Sequence, residues 1–380
     1  MSVVSPFGAF HLEGPGCRLV KRRQFIATSG SALILGACAR TGMPSYGSSP
    51  ELGCVPRVLI SSERLIRSVA GLRPYRASGF VVRKEMLPGG GKVLIHNYGH
   101  GGAGITLSWG SSRLAVDLLQ QPQNKSMAVI GAGIMGLSTA RLLQERGHEV
   151  VIYAAQSPPH TTSNIAGGQI HPASHYDRTA VDEAWLRQYR SALDYSWRRF
   201  QLLVGEDYGI RWLTTFEGAN GAPLPMVQPA ARVLNANEHP FNVDRVRSYD
   251  TMYVETGRYL RKLSDDFLLR GGKIETRVFR NLSEVISLEH DTVFNCTGLG
   301  AKILFGDEGM SPRRGQLAVL LPQPEIRYAY TFGSSYMFPR PDGIVLGGTY
   351  ESGIWDEETT PDAISSILDR NAALFAARCP

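Results

Sequence analysis

The segment that most constrains the fold spans residues 127–154 and reads MAVIGAGIMGLSTARLLQERGHEVVIYA. Its apolar residues 128–130 predict a buried strand, the glycines that follow predict a tight turn, and the next residues carry apolar side chains at helical spacing. The closing run VVIYA predicts a second strand. A strand, a helix and a second strand in this order form a βαβ unit, which is typical of α/β folds with parallel strands.

Three glycines at the turn, Gly131, Gly133 and Gly136, have GxGxxG spacing. The first allows the tight turn, the second lets a pyrophosphate approach N–H groups at the helix N-terminus, and the third lets helix and strand pack closely. The pattern therefore predicts a dinucleotide cofactor. The acidic residue that commonly ends the second strand and holds the ribose is missing, so Gln156 or backbone groups would take its place.

A second cluster, PPHTTSNIAGGQIHP at residues 158–172, bears on the choice of cofactor. Hydroxyl groups in this cluster suit phosphate oxygens, and paired glycines let a flat ring lie against the backbone. A nicotinamide enzyme does not need this second contact region, whereas a flavin, which is longer and buried along its length, does. The cluster therefore favours a flavin.

Composition excludes several classes of protein. Of the 380 residues, 43% are hydrophobic and 19% are charged, as in an ordinary soluble enzyme. The net charge of +6 is mild and its Lys and Arg residues are scattered, so no nucleic-acid partner is expected. Five cysteines without CxxC spacing predict no disulfide scaffold. His96 and His100 have HxxxH spacing, but the neighbouring glycines disfavour a helix and no metal site is expected.

Residues 1–40 predict an export signal. The pair Arg22 and Arg23, typical of a twin-arginine signal, precedes an apolar run whose end, LGAC at residues 35–38, resembles a bacterial lipobox. We expect an exported protein, periplasmic or lipid-anchored at Cys38, and a cytoplasmic one if the run is instead a buried helix or follows a misassigned start. Residues 41–56 are rich in Gly, Pro and Ser and predict a tether.

Periodicity predicts further elements along the chain. Residues 57–76 suggest a short strand or helix followed by a turn at Gly71, and GFVVRKE alternates as a strand. A helix should open at the glycines before Ile105. Other helices are expected near residues 180–204, 257–270 and 361–380, and strands near 292–296, 315–321 and 344–349.

Seven motifs together resemble the D-amino-acid oxidase family of FAD enzymes. They are GLRPYR, VLIHNYGHGGAGITLSWG, IGAGIMGLSTARLL, YAAQSPPHTTSNIAGGQ, VFNCTGLGA, RRGQ and YMFPRPDGIVLGGTYESGIW. The motifs extend across residues 71–355. The resemblance implies an α/β fold with a Rossmann-type FAD-binding domain and a mixed-sheet substrate-binding domain.

The order of these motifs differs from that of the family, in which the dinucleotide strand comes first and the RPYR strand and HNYGHGG loop come last. The sequence therefore looks circularly permuted, which requires that the original termini lie close together. It predicts that Pro380 lies near residues 55–70, and a disulfide between Cys54 and Cys379 across this joint stays open. The implied division assigns closing family elements to 57–120, the FAD-binding domain to 127–175 and 270–320, the substrate-binding domain to 176–269 and 321–360, and the helix at the joint to 361–380.

The resemblance also implies roles at the substrate. Arg73 matches the arginine that grips the substrate carboxylate, for which a planar fork of donors is suited. Tyr336 matches a tyrosine whose hydroxyl shares that carboxylate, and the Gly102 carbonyl would accept the substrate amine. Phe332 stands where the family often has a lid tyrosine, which makes the pocket more apolar unless Tyr330 substitutes.

The remaining implied residues contact the cofactor. Backbone N–H groups at Gly102 and at the start of the next helix would face the flavin pyrimidine and stabilise its developing negative charge. The hydroxyl cluster would bind phosphates, Val278 would lie near adenine, and Thr297 and Gly298 would lie under the dinucleotide. The implied FAD contacts are Gly131, Gly133, Ile134, Met135, Gly136, Thr161, Thr162, Ser163, Gly167, Gly168, Gln169, Val278, Thr297, Gly298, Gly104, Ile105 and Thr106.

The implied activity is oxidation of a D-amino acid by hydride transfer from Cα to flavin N5, which gives the 2-oxo acid, ammonia and hydrogen peroxide with O2 as acceptor. No side chain need act as a base. Alternatives are a glycine, sarcosine or D-aspartate oxidase, a quinone-linked dehydrogenase and a degenerate flavoprotein. A dicarboxylic substrate would need a second cation, for which Arg340 is the nearest candidate in sequence. A homodimer stays open.

Overall fold

The computed structural model describes residues 55–119 and 126–375. The predicted export signal, the predicted attachment site at Cys38, most of the predicted tether, and the residues Cys54, Cys379 and Pro380 lie outside the described residues.

The described strands and helices follow one another in alternation along much of the chain. The strands are β1 (Leu65–Arg76), β2 (Val81–Met86), β3 (Val93–Tyr98), β4 (Ser126–Ile130), β5 (Glu149–Ala154), β6 (Ile210–Gly218), β7 (Arg232–Leu234), β8 (Val246–Val254), β9 (Lys273–Thr276), β10 (Thr292–Asn295), β11 (Met310–Leu320), β12 (Tyr328–Phe332), β13 (Ser335–Arg340), β14 (Gly343–Gly347) and β15 (Glu351–Ser352). The helices are α1 (Gly104–Asp117), α2 (Ile134–Glu145), α3 (Thr162–Ile165), α4 (Glu183–Leu202), α5 (Thr256–Leu269), α6 (Leu282–Ile286), α7 (Gly300–Phe305) and α8 (Pro361–Ala372). Among these helices, none has the length and hydropathy needed to cross a membrane.

Within the described residues, six strands form a Rossmann-type sheet in the order β2-β3-β10-β4-β5-β9. All neighbouring strands are parallel except β2, which runs antiparallel to β3. Residues 127–130 of β4 are almost fully buried, as expected for a central parallel strand covered on both faces. The predicted βαβ unit is confirmed as β4, α2 and β5.

A second sheet, of nine strands in the described part of the chain, has the order β1-β11-β14-β13-β12-β6-β8-β7, with β15 paired to β11. It is mixed because β12 and β6 are parallel while the other pairs are antiparallel. The predicted α/β class with a second, mixed sheet is therefore confirmed. The early strand β1 joins this sheet by pairing along its whole length with β11.

Most predicted helices are confirmed, but three expectations about strands were wrong. The turn at Gly71 is absent, because β1 continues through this residue and Gly71 pairs with Gly315. Strands β6, β8, β12 and β13 were missed; β8 is buried on both faces and so shows no alternation of apolar and polar residues. Strand β11 was assigned to the FAD-binding half, but it pairs with β1 and β14 in the nine-stranded sheet.

The two ends of the described chain meet. The Arg57 guanidinium carbon lies 5.8 Å from the centre of the Phe375 ring. Val58 and Phe375 belong to the same buried apolar cluster, which also receives residues of α8. A connection between these ends would therefore need few residues.

Candidate active site

A cavity of about 810 Å³ opens at the carboxyl ends of β4, β5 and β10 and extends to β1, β11 and β13 of the second sheet. Its volume lies in the upper part of the range for small-molecule sites. The carboxyl ends of parallel strands are the usual position for a ligand in an α/β sheet. The cavity is long enough to be lined by most of the residues that the sequence singled out.

The GxGxxG turn forms one end of the cavity. Gly131 has φ +110°, and a Cβ atom there would lie 2.4 Å from the Cys296 carbonyl oxygen. The Ile134 N–H, at the first turn of α2, donates to Ser163 Oγ at 3.1 Å. Gly131, Gly133, Ile134 and Met135 line the cavity. This helix N-terminus with an adjacent hydroxyl fits a pyrophosphate, because the N–H groups of a first turn lack partners within the helix.

Gly136, assigned from the sequence as a cofactor contact, does not line the cavity. A Cβ atom on Gly136 would lie 1.8 Å from the Gly131 carbonyl oxygen. Its function is therefore to let α2 pack against the turn.

The hydroxyl and glycine cluster lines the next part of the cavity, through Thr161, Thr162, Ser163, Gly167, Gly168 and Gln169. Gly168 has φ +95°, and a Cβ atom there would lie 2.0 Å from the Val254 carbonyl oxygen. The Thr161 hydroxyl donates to Asn164 Oδ1 at 2.8 Å, so its oxygen still has acceptor capacity but its proton is engaged.

Ala155 and Gln156, which follow β5, line the cavity where an acidic residue that would hold the ribose is missing. Val278, which follows β9, lines it too. Arg277, which the sequence reasoning missed, also lines it, and its guanidinium carbon lies 4.8 Å from the centre of the Phe279 ring. No motif identifies Arg277; only the pairing of β9 with β5 brings it here. Thr297 and Gly298 line the cavity beside β10.

The HNYGHGG loop connects β3 to α1 and is held against another loop. A Cβ atom on Gly102 would lie 2.7 Å from the Ala173 carbonyl oxygen. Gly102 lines the cavity, but its N–H donates to the Ser174 carbonyl oxygen at 3.1 Å. This N–H is therefore engaged and does not face a flavin, contrary to expectation.

The other N–H groups expected to face the flavin pyrimidine belong to Gly104, Ile105 and Thr106, at the start of α1. Gly104 and Ile105 line the cavity at the helix N-terminus. Thr106 does not, and its hydroxyl donates to the His171 carbonyl oxygen at 3.1 Å. Two of the four predicted N–H groups thus remain placed to stabilise negative charge in the cavity.

Arg73 and Tyr336 lie together at the far end of the cavity. A Cβ atom on Gly315 would lie 2.3 Å from the Arg73 guanidinium, so this glycine provides the space for it. Arg73 also donates to the Thr349 carbonyl oxygen at 3.5 Å. Among the described residues, no carboxylate forms an ion pair with Arg73. An unpaired arginine in a cavity is suited to bind an anionic ligand.

The Tyr336 hydroxyl remains protonated at neutral pH. Burial raises the pKa of this hydroxyl, and the Arg73 guanidinium beside it opposes the rise. The aromatic ring fills space left by Gly347, where a Cβ atom would lie 1.7 Å from the ring. The phenol can therefore donate a hydrogen bond next to the guanidinium.

Two expectations about neighbouring residues were wrong. Arg340 does not line the cavity, because its guanidinium forms an ion pair with Asp342 at 2.9 Å. Tyr330 cannot replace a lid tyrosine, because it is fully buried and its hydroxyl donates to Asn371 Oδ1. Phe332 packs on Phe241 with ring centres 4.8 Å apart.

Two buried histidines support the HNYGHGG loop. The His100 ring stacks on Phe80 with centres 5.0 Å apart, and burial lowers its pKa to about 3. Burial also lowers the pKa of His175 to about 4. His175 Nε2 has no hydrogen-bond partner in the described structure. Both rings are therefore neutral at pH 7.

Acidification is expected to destabilise the protein through these rings. An unfolded histidine titrates near pH 6.5, so between that pH and about 4 the unfolded state binds more protons than the folded state. The free energy of unfolding therefore decreases as the pH is lowered through this range. For His175 the loss is about 3 kcal/mol. Urea unfolding at pH 4 to 7 measures it, and a His175→Phe variant should lose less stability over this range. An equal loss in both proteins would contradict the assignment.

The chain resembles known proteins in sequence and in structure. Residues 126–379 match the profile of the family described as FAD dependent oxidoreductase. The chain is 30% identical over 263 residues to a D-amino-acid oxidase from Streptomyces coelicolor, covering 67% of this chain and 79% of that protein. It is 29% identical over 262 residues to a D-aspartate oxidase from Homo sapiens, covering 65% and 75%.

Solved structures share the fold. A glycine oxidase from Bacillus cereus ATCC 14579 superposes with a TM-score of 0.51 at 18% identity, covering 66% of this chain and 78% of that one. An iminodiacetate oxidase from Chelativorans sp. BNC1 superposes with a TM-score of 0.52 at 19% identity, with the same coverage.

The family match accounts for the glycine turn, the hydroxyl cluster and Tyr336, while Arg73 and the HNYGHGG loop precede the matched residues. Because the match extends over more than half of the chain and a relative is 30% identical, the chain belongs to the DAO family of FAD-dependent oxidoreductases and is an enzyme that uses FAD.

Proposed function

We propose that this enzyme is a D-amino-acid oxidase. The reaction consumes a D-amino acid, O2 and water and yields the 2-oxo acid, ammonia and hydrogen peroxide. The observation that carries the proposal is the pairing of Arg73, which has no carboxylate partner among the described residues, with the protonated Tyr336 at the end of the cavity opposite the GxGxxG turn.

The substrate would be held by three groups. Arg73 would bind its carboxylate through two parallel N–H donors, and the Tyr336 hydroxyl would donate to the same carboxylate. The Gly102 carbonyl would accept a hydrogen bond from the amine. FAD, when bound, would supply the acceptor for the hydride that leaves Cα. The chain itself would orient the substrate and exclude water rather than supply a base.

The residues present fit FAD. The N-terminus of α2 and the Ser163 hydroxyl would hold the pyrophosphate, since Ile134 and Ser163 already lie within hydrogen-bond distance. Gly167 and Gly168 line the cavity and carry no side chain, so a flat ring system would be able to approach their backbone. The N–H groups of Gly104 and Ile105 would stabilise negative charge on the reduced ring.

A screen of the FAD-loaded protein against D- and L-amino acids, glycine and sarcosine tests the proposal. We expect oxidation of D-isomers with one hydrogen peroxide formed per O2 consumed in an oxygen electrode. Oxidation restricted to L-isomers, glycine or sarcosine would contradict it. Turnover with a soluble quinone but not with O2 would instead assign a dehydrogenase.

We also propose that the family elements stand in circularly permuted order, so that residues 57–119 close the fold. Two observations support this. The family match begins only at residue 126, yet β1, β2, β3 and α1 complete both sheets and the cavity. Arg57 and Phe375, at the ends of the described chain, are in contact.

A rearranged chain, in which residues 126–375 come first and a short Gly-Ser linker leads into 57–119, is expected to fold and bind FAD. The reason is that the new junction joins ends already in contact and the new termini lie at the gap between α1 and β4. Flavin absorbance and the melting temperature measure the outcome. A matched rearrangement opened inside α2, which is buried, should fail. Failure of both arrangements would contradict the proposal.

A further inference from the structure

Beyond Tyr336, a row of polar residues continues across the nine-stranded sheet. Tyr336 on β13 pairs with Thr331 on β12, Thr331 pairs with Glu217 on β6, and Glu217 pairs with Arg247 on β8. Residues paired across adjacent strands point to the same face of a sheet. These four side chains therefore share the face that carries Tyr336 into the cavity.

The far half of this row is satisfied internally. Arg247 donates to Glu217 Oε1 at 2.6 Å, and the Tyr249 hydroxyl donates to Glu217 Oε2 at 3.0 Å. Gln228 also donates to Glu217, at 2.9 Å. The Glu217 carboxylate and the Arg247 guanidinium neutralise each other. Together they form a fixed polar surface without a free charge.

Two polar atoms of the cavity, one in this row and one in a neighbouring loop, are not satisfied. Thr331 Oγ1 and His171 Nδ1 are buried and have no hydrogen-bond partner among the described residues. Both residues line the cavity. A buried polar atom without a partner costs about 1–3 kcal/mol, so these two atoms indicate a ligand that completes them.

His171 and Thr331 line the same cavity, and each is related to Glu217. The charge of Glu217 affects the pKa of His171, and Thr331 is the direct strand partner of Glu217. The backbone of His171 is fixed by the hydrogen bond from Thr106 Oγ1, and the adjacent Ile170 N–H donates to the Met252 carbonyl oxygen at 2.9 Å. The two groups are thus held by the scaffold, Thr331 on β12 and His171 in the loop that follows α3.

We propose that Thr331 and His171 form the subsite for the substrate side chain and select D-amino acids whose side chain carries a neutral hydrogen-bonding group, a hydroxyl or a carboxamide. The inference rests on the proposed function, since Tyr336 and Arg73 would hold the carboxylate beside this subsite.

A neutral group is favoured over a carboxylate for two reasons. Burial lowers the pKa of His171, so its ring is uncharged at neutral pH and offers no cation. Two further arginines offer no free cation either, because Arg247 is paired with Glu217 and Arg340 is paired with Asp342. An apolar side chain would leave Thr331 and His171 without partners, whereas a hydroxyl or amide would satisfy them.

The experiment compares kcat/KM of the FAD-loaded enzyme for substrates of matched shape. D-threonine is paired with D-valine, and D-asparagine with D-leucine. In each pair we expect the polar substrate to be favoured at least about tenfold, the effect of one buried hydrogen bond. D-aspartate should be slower than D-asparagine.

Two variants locate the preference. Thr331→Val and His171→Leu, which remove the hydrogen-bonding atoms, should each lower the polar-to-apolar ratio about tenfold, whereas Thr331→Ser and His171→Asn should restore much of it. A merely structural role would lower kcat/KM for both members of a pair and leave the ratio unchanged. Thr214→Val, on β6 with an exposed hydroxyl bonded to Asp250, is the matched control and should not alter the ratio.

The outcomes separate this inference from the proposed function. Oxidation of both members of each pair at equal rates, or a ratio that persists in Thr331→Val and His171→Leu, would overturn the subsite. Faster oxidation of D-aspartate than of D-asparagine would overturn the selection of neutral groups. Absence of oxidation of any D-amino acid would overturn the proposed function and this inference with it.

Discussion

Replacing Arg73 with methionine is expected to lower kcat/KM for D-amino acid oxidation about a thousandfold while FAD remains bound. Removing one partner of a buried, hydrogen-bonded charge pair costs about 2–5 kcal/mol, and about 4 kcal/mol corresponds to this factor. Methionine retains most of the aliphatic volume, so the guanidinium is the principal loss. Flavin absorbance should persist, because the GxGxxG turn and the hydroxyl cluster do not involve Arg73.

Two further variants distinguish recognition from charge alone. Arg73→Lys retains the charge but loses the planar fork, and we expect an intermediate loss because a single ammonium cannot form two parallel bonds to a carboxylate. Arg67→Met, on the same strand β1, removes an arginine that is about half exposed and paired with Asp342. An exposed ion pair contributes little, so Arg67→Met should remain near wild type in activity. Activity of Arg73→Met within tenfold of wild type would contradict the carboxylate role.

The glycine turn and Arg73 differ in how far sequence alone could identify them. The turn is local: Gly131, Gly133 and Gly136 act within six residues, and their spacing follows from the geometry of a strand that leads into a helix. The prediction of a βαβ unit was therefore confirmed. Arg73 was found only through a family resemblance, because nothing within its own strand shows that Gly315, far away in the chain, leaves space for its guanidinium.

Contacts between residues that only the pairing of strands brings together could not be predicted from the sequence. Thr331 and Glu217 are parallel partners although 114 positions separate them in sequence. The same limitation explains the wrong expectation for Arg340, whose place after Tyr336 in sequence suggested a second cation. Two residues further on, Asp342 takes up its charge.

Backbone hydrogen bonds explain the correction at the HNYGHGG loop. Sequence indicates that glycines permit close approach of the backbone, but it does not show which neighbour approaches. In the structure the Ser174 carbonyl oxygen accepts the Gly102 N–H, so of the predicted N–H donors only those in the first residues of α1 remain for the cavity. The loop's glycines thus serve packing against residues 173–174 as well as the cavity.

Gly136→Ala is expected to abolish most FAD binding and to lower the free energy of unfolding by about 3 kcal/mol. A Cβ atom would lie 1.8 Å from the Gly131 carbonyl oxygen, a backbone atom that cannot rotate away. Overpacking of this kind costs about 1–3 kcal/mol even where side chains yield. Here α2 must move away from the turn, which displaces the N–H groups that would hold the pyrophosphate.

The sign of this effect is what makes it informative. Where the backbone conformation suits both residues, glycine to alanine ordinarily stabilises a protein by up to about 1 kcal/mol, because alanine restricts the unfolded chain. A Cβ atom added to Gly257, in α5, would meet no other atom within 4 Å, so Gly257→Ala should show this ordinary gain. Urea unfolding and flavin content of the two variants, measured side by side, test the contact. If Gly136→Ala bound FAD and gained stability as Gly257→Ala does, close packing of α2 on the turn would be excluded as the reason for the third glycine.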